Sequence, residues 1–391
     1  MLKRPRPARR SRHSAELDEL LRLANGLAHS GTLAEDRFWQ DGLLKIVNEI
    51  IGDEDEETLT AALDALAKSD TQAWNELADV IEASAETRYF EHEGQPWVGL
   101  LFAAPVLSWS RYAIPSGPLG RELAQNLRVQ LGAHVFARNV RVTMVDFLFS
   151  PDQLPEGYVN TTKLTETLLD HVMDNSTVTF DPRELPETRS FLSDTRYIVG
   201  LVAAPLGAPI LRWHEEDGVM EEARQQWSKQ GGGVLQPVFA GCAFEPLLPL
   251  VYFAAWREAD RASRAYAVRA TISFLQVALN VEARQLAAAI APCHGRRLEE
   301  YRIGFSKVGD EQVINGVVWP LLDNEDEHTD CVGEIEALLR ECGLTDIVSH
   351  DHHFPLDYCD DCGSPLYPNA DGELLHSEAP EDTQEQPRHL H

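Results

Sequence analysis

Cysteine is scarce: six residues, Cys242, Cys293, Cys331, Cys342, Cys359 and Cys362, in a chain of 391. That number excludes a small disulfide scaffold and leaves thiols free for other chemistry. Basic side chains are also few, 34 Lys and Arg against 63 Asp and Glu, for a formal net charge of −29. An acidic body of this kind repels nucleic acid and anionic membranes at long range. The N-terminus lacks the apolar stretch of a secretory signal, so a reducing cytoplasm is the expected compartment. The longest apolar run, Val238 to Trp256, contains Glu245, Pro246 and Pro249. These break a membrane helix, so buried strands are expected there and no membrane partner. The sequence also lacks a G-x-x-x-x-G-K-[ST] loop, a G-x-G-x-x-G turn after a strand, a G-x-S-x-G elbow and an H-E-x-x-H helix, which removes the motif-bearing nucleotide and hydrolase classes.

What is present reads as a soluble globular chain, 43% hydrophobic and 25% charged, long enough for two or three domains. Six of the 34 basic residues (Lys3, Arg4, Arg6, Arg9, Arg10 and Arg12) fall within residues 1–13, where there is no acid. This basic arm is expected to be disordered and offers the one route to a nucleic-acid or ribosome partner. Residues 14–89 read as a helical region. Apolar spacing marks four helices there, and Gly52 with the acid run Asp53 to Glu57 separates the second from the third as a solvated helix start. Residues 379–391 lack periodicity and read as a disordered tail.

From about residue 90 the pattern changes to strands, and two stretches of the letters match each other. Val98-Gly99-Leu100-Leu101-Phe102-Ala103-Ala104-Pro105 matches Val199-Gly200-Leu201-Val202-Ala203-Ala204-Pro205, and each continues to a tryptophan, Trp109 and Trp213. Helical stretches at Leu119–Leu131 and Val219–Trp227 then lead to strand patterns at Val140–Phe149 and Val234–Phe244. A divergent third copy runs from Tyr301 to Phe305, through Val317 to Pro320 and a helix at Val332–Leu339, to a segment from Ile347. The expected architecture is α+β, with duplicated β-β-α-β units at 90–195 and 196–295 and a third at 296–378. Gly99, Gly200 and Gly304, inside strand patterns, predict bulges or close backbone approach. Gly231-Gly232-Gly233 reads as a helix stop, and Cys293-His294 as a helix end.

The sharpest chemical signal is Cys359-Asp360-Asp361-Cys362-Gly363. Two thiolates at C-x2-C spacing present both sulfurs on one side of a tight turn and suit one tetrahedral zinc per chain. The turn Asn369-Ala370-Asp371-Gly372 predicts a hairpin that returns His376 to this knuckle. The fourth ligand is sought among His350, His352 and His353, or less simply Cys331 or Cys342. The same histidines offer an alternative, an open catalytic metal centre to which Glu325, Asp326, Glu327, Asp330 and Asp323 could add carboxylates.

The basic leader, the helical start around Gly26 to Trp39 and the ending Cys359-Asp360-Asp361-Cys362-Gly363-Ser364-Pro365-Leu366-Tyr367-Pro368 together resemble a proteobacterial family catalogued only as a domain of unknown function. The resemblance implies a bacterial cytoplasmic protein and supplies no activity. The function expected from the residues is therefore a non-catalytic interaction or regulatory protein with a structural zinc site and an unidentified protein partner. A metal-dependent hydrolase and a nucleic-acid or ribosome-associated factor are the alternatives.

Overall fold

The computed structural model describes residues 12–378 except 175, 182, 184, 189–191, 323 and 324. Most of the expected basic arm and the whole expected tail lie outside the described residues. The four helices of the N-terminal region are α1 (Arg12–Ala28), α2 (Leu33–Gly52), α3 (Glu56–Ala67) and α4 (Thr71–Glu86). Their starts follow local chemistry: the Thr32, Asp55 and Asp70 side chains each accept from backbone N–H groups of the first turn. Their apolar stripes meet in one core containing Leu20, Leu43, Val47, Leu59, Leu77 and Ile81.

An eight-stranded sheet follows. Its strands are β1 (Thr87–His92), β2 (Gln95–Trp109), β3 (Gly117–Pro118), β4 (Arg141–Phe149), β5 (Thr177–Val178), β6 (Ser193–Pro205), β7 (Ala243–Pro246) and β8 (Leu250–Val251). The path is β1-β2-β6-β4-β3, with β5 beside β4 and with β7 and β8 beside β2. Helix α5 (Arg121–His134) packs on one face together with the segment from Met220 to Leu235, and α6 (Gly157–Val172) packs on the other. The two matching strings are neighbours here, because β2 and β6 pair antiparallel with Leu101 opposite Leu201 and Phe102 opposite Gly200.

The expected duplication is not confirmed: the first copy runs β2-β3-α5-β4, but the second has no strand between β6 and the helical segment from Met220. Val98 to Trp109, read as two strands, is one continuous strand in which Trp109 is buried. Trp213 sits in a 3-10 turn and only partly buried. Within Val234–Phe244, read as a strand, the chain is still helical at Leu235 and enters β7 only at Ala243. Gly231-Gly232-Gly233 does not stop the helix either. A π-turn over Trp227–Gly231 runs straight into α8 (Gly232–Leu235), and a Cβ at Gly231 would strike the buried Trp227 ring at 2.6 Å. The glycine therefore serves packing and not chain reversal.

Two carboxylates join the helical region to the sheet. Glu56, at the start of α3, accepts from the backbone N–H groups of Tyr158 (3.0 Å) and Val159 (2.9 Å), capping α6 from outside its own sequence. Glu86, at the end of α4, accepts from Phe253 N at 3.1 Å and so caps the 28-residue α9 (Tyr252–Leu279), which has no side-chain cap of its own.

The C-terminal half of α9 covers the second sheet. This consists of β9 (Leu286–His294), β10 (Leu298–Lys307), β11 (Asn315–Pro320) and β12 (Asp346–Ser349) in the order β11-β10-β9-β12, and β13 (Phe354–Pro355) also pairs with β9. Helix α10 (Cys331–Glu341) closes the same core, where Ile272, Ile290, Ile303, Phe305 and Trp319 are buried. The third apolar pattern thus forms its strands and helix where the letters place them. Cys293 and His294 belong to β9 and not to a helix end.

No described helix is long and apolar enough to cross a membrane.

Candidate metal centre

The C-terminal segment is laid over the second sheet by a window of small residues. Gly304 on β10 and Gly316 on β11 face each other in register. A Cβ at Gly304 would run into the Pro368 carbonyl, and one at Gly316 into the Tyr367 ring. Tyr367 and Pro368 form β14 (Tyr367–Pro368), which pairs with β15 (Leu374–Leu375). The close approach expected of Gly304 is thus real and serves to seat this hairpin, and Gly200 similarly has no room for a Cβ beside the Thr143 carbonyl and Phe102. The hairpin turn is built by Asn369, 3% exposed, whose Oδ1 accepts from Asp371 N (3.1 Å) and Glu373 N (2.8 Å).

At the open end of the hairpin the knuckle closes. Cys359 N donates to Ser364 O and Gly363 N to Cys359 O, both at 2.8 Å, while Gly363 takes φ +71°, a conformation that suits glycine. Below it, Arg302 of β10 is fully buried. Its guanidinium donates to the carbonyls of Asp357 and Leu366, lies 4.9 Å from the Tyr358 ring, and pairs with Glu300 at 2.7 Å. One side chain therefore ties both flanks of the knuckle to the sheet. An arginine inside an otherwise apolar strand pattern was the signal available for it.

His376 follows β15 directly. The ligand atoms of Cys359, Cys362 and His376 lie within 4.8 Å of one another, and Cys362 Sγ is 3.2 Å from His376 Nε2. Hydrogen bonding from the Ser364 side chain, then from its backbone and from His376, pulls the exposed Cys362 thiol down to about 6. Burial instead pushes Cys293 and Cys331 up to about 11. Near neutral pH the sulfur at the knuckle is a thiolate, the form that binds metal, and the buried ones are not. The cluster can hold a metal ion.

The other candidate residues are placed elsewhere. His350 Nε2 lies 3.0 Å from Asn369 O, at the turn end of the hairpin. His352 packs on Phe354 with ring centroids 4.1 Å apart, and His353 stacks on His294 at 3.9 Å and 9°. Cys331 is buried in the core of the second sheet and Cys342 packs at its edge. In the acidic run, Glu325 pairs with buried Arg264 at 2.6 Å, Asp326 accepts from His328 N and Asp330 caps α10 through Gly333 N, while Asp323 lies outside the described residues. Among the described residues, three protein ligands therefore converge and no fourth joins them.

No curated protein and no solved structure matches the chain. The family described as "Protein of unknown function (DUF2863)" matches it over residues 5–390, nearly its whole length, so the chain belongs to the DUF2863 family.

Proposed function

We propose that Cys359, Cys362 and His376 hold one zinc ion that clamps the C-terminal hairpin onto the second sheet, in a non-catalytic interaction or regulatory protein of the cytoplasm. Two sulfurs and one imidazole are the donor set zinc prefers among common cellular metals. The observation that carries the structural role is position. The three ligands sit at or near the protein surface at the mouth of a hairpin, and they line neither the cavity of about 760 Å³ beside the β9–β10 turn nor that of about 500 Å³ between the helical region and the first sheet. A zinc there would join the loop before β14 to the residue after β15, which is a fastening. A fourth donor from outside the described residues would close the site as a structural one, whereas water in that position would leave it open, the arrangement of a catalytic zinc, and would favour the hydrolase alternative. The hydrolase alternative has less support, since His350 and His352, with rings 5.6 Å apart, both pack on Phe354 while His353 stacks on His294, and among the described residues no carboxylate or thiol converges with them on one point. All six cysteines are free thiols in the fold, which fits a reducing compartment.

The test is metal analysis of protein purified without chelator, followed by cobalt substitution. One equivalent of zinc per chain, lost in the Cys359→Ser/Cys362→Ser double variant, is the expected result, with cobalt showing intense thiolate charge-transfer bands. Zinc content near zero, or unchanged in the double variant, overturns the site.

A further inference from the structure

A cavity of about 760 Å³ lies elsewhere, between the β9–β10 turn and the segment that follows β11. Its wall on the turn side is built from His294, Arg296 and Arg297, with His353 beside them. Strand pairing fixes the two imidazoles: β13 runs parallel to β9 with Pro355 opposite His294, which brings the His353 and His294 rings face to face at 3.9 Å. His294 Nδ1 lies 3.2 Å from the Pro292 carbonyl and must donate to it, which leaves Nε2 unspent. Neither Arg296 nor Arg297 makes an ion pair among the described residues, in a chain where acids outnumber bases almost two to one. Two consecutive arginines on a cavity wall, with no ion pair among the described residues, are therefore a local exception to the charge of the whole molecule.

The opposite wall differs. Glu325 is neutralised by Arg264 and Asp326 is occupied within its own turn, while Glu327 has among the described residues only His328, at 3.9 Å, as an ion-pair partner; on the arginine side the Glu299 carboxylate lies over Gly295 and has no Arg or Lys partner among the described residues. Leu298, Leu321 and Leu322 supply an apolar floor. A ligand that fits must bring a compact double negative charge to one end and hydroxyl donors to the other. Paired guanidiniums match phosphate oxygens in forked geometry, and carboxylates together with an imidazole nitrogen accept from hydroxyl groups. The volume exceeds what a phosphate ion alone needs and falls in the range of small-metabolite sites.

We propose that this cavity binds a small phosphorylated polyol or sugar, with the phosphate on Arg296 and Arg297 and the hydroxyls toward Glu299, Glu327 and the His294–His353 stack. The test is calorimetric titration of the full-length chain at low ionic strength with ribose 5-phosphate, glycerol 3-phosphate, ribose and inorganic phosphate. At least one of the two phosphorylated probes is expected to bind tenfold or more tightly than both ribose and inorganic phosphate. Arg296→Ala/Arg297→Ala should weaken that binding at least tenfold. His353→Phe, which keeps a flat ring against His294, should weaken it severalfold, and the remote Arg284→Ala should leave it unchanged. Melting temperatures of the variants separate lost binding from lost folding. Equal binding of inorganic phosphate and the sugar phosphates, no binding of any probe at millimolar concentration, or full affinity in a folded double-arginine variant overturns the proposal.

Discussion

Two carboxylates near the ends of N-terminal helices illustrate how one side chain can serve two elements at a cost. Glu86 accepts from Phe253 N at the positive end of α9, an arrangement that favours its ionised form, and Arg257 acts in the same direction. Burial outweighs both, with Glu82 adding repulsion, and the carboxyl is pushed up to about 7. Because its folded pKa lies above the unfolded value, the folded state binds the extra proton. The stability this group contributes is complete at acid pH and is lost as pH rises through about 7. At about 1.4 kcal/mol per pKa unit the loss is on the order of 3–4 kcal/mol. Glu86→Gln keeps an acceptor for Phe253 N without the charge. It should melt like the parent near pH 5 and be more stable by roughly that amount at pH 8.5. Parallel pH–melting curves for the two proteins would contradict the assignment. Arg302 is the converse case, a buried charge with Glu300 as its partner and the knuckle carbonyls as acceptors. Arg302→Leu leaves Glu300 unpaired and both carbonyls without donors, so a loss of about 3–5 kcal/mol is expected in chemical denaturation, together with weaker metal retention. A variant that melts normally and keeps its metal would show that Arg302 does not hold the knuckle.

At the level of elements, the sequence was most legible where periodicity is local. The four N-terminal helices, α5, α10, β4 and the Tyr367–Leu375 hairpin stand where spacing and turn residues place them, and Cys359, Cys362 and His376 converge as the C-x2-C turn and the hairpin predict. It was least legible where packing overrides local preference. Gly231 to Gly233 look like a helix stop, yet the chain stays helical through them and the Trp227 ring needs the missing side chain of Gly231. The run Asp53 to Glu57 looks like a solvated helix start, yet Glu56 caps a helix a hundred residues away, a contact without any local trace. His350 to His353 look like a ligand cluster, but alternate pointing along an extended chain spreads them over an asparagine carbonyl, a phenylalanine and another histidine. The glycine window permits a direct test. Gly316→Ala places a methyl where the Tyr367 ring lies, so the hairpin must lift while the strand beneath it can persist. A cost of about 1–3 kcal/mol is expected, with faster hydrogen exchange confined to residues 357–378. The paired change Gly316→Ala/Tyr367→Ala should recover part of the β10–β11 protection, and uniform destabilisation across the second sheet would refute the window.

For the molecule as a whole, the apolar cores of the helical region, of the two faces of the first sheet and of the second sheet are separate clusters, and Cys359, Cys362 and His376 belong to none of them. Helix α9 is the shared element, since its N-terminal half contributes Tyr252, Ala255 and Ala259 to the first sheet and its C-terminal half contributes Val268, Ile272 and Leu275 to the second. Unfolding of either sheet is therefore coupled to the other through one continuous helix, whereas the knuckle hangs on the far side of the second sheet from α9 and is coupled to it through Arg302, the glycine window and the small apolar cluster of Ala291, Cys293 and Phe354 on which Leu374 packs. Metal removal should for this reason act locally. Treatment with a strong chelator is expected to leave the far-ultraviolet circular dichroism and the main calorimetric transition nearly unchanged, because a chain of 391 residues has cores enough to fold without one ion. Limited proteolysis should then cut first in the stretch from about 357 to 366, on either side of the two cysteines, where the holo form resists. Cys362 should at the same time become the fastest of the six thiols to react with iodoacetamide, being exposed and held as a thiolate while Cys293 and Cys331 are buried. Collapse of the main transition on chelation would mean that the metal is needed by the second sheet itself. Identical proteolysis of the two forms would mean that the hairpin stays in place by packing alone, with the ion serving a task other than fastening.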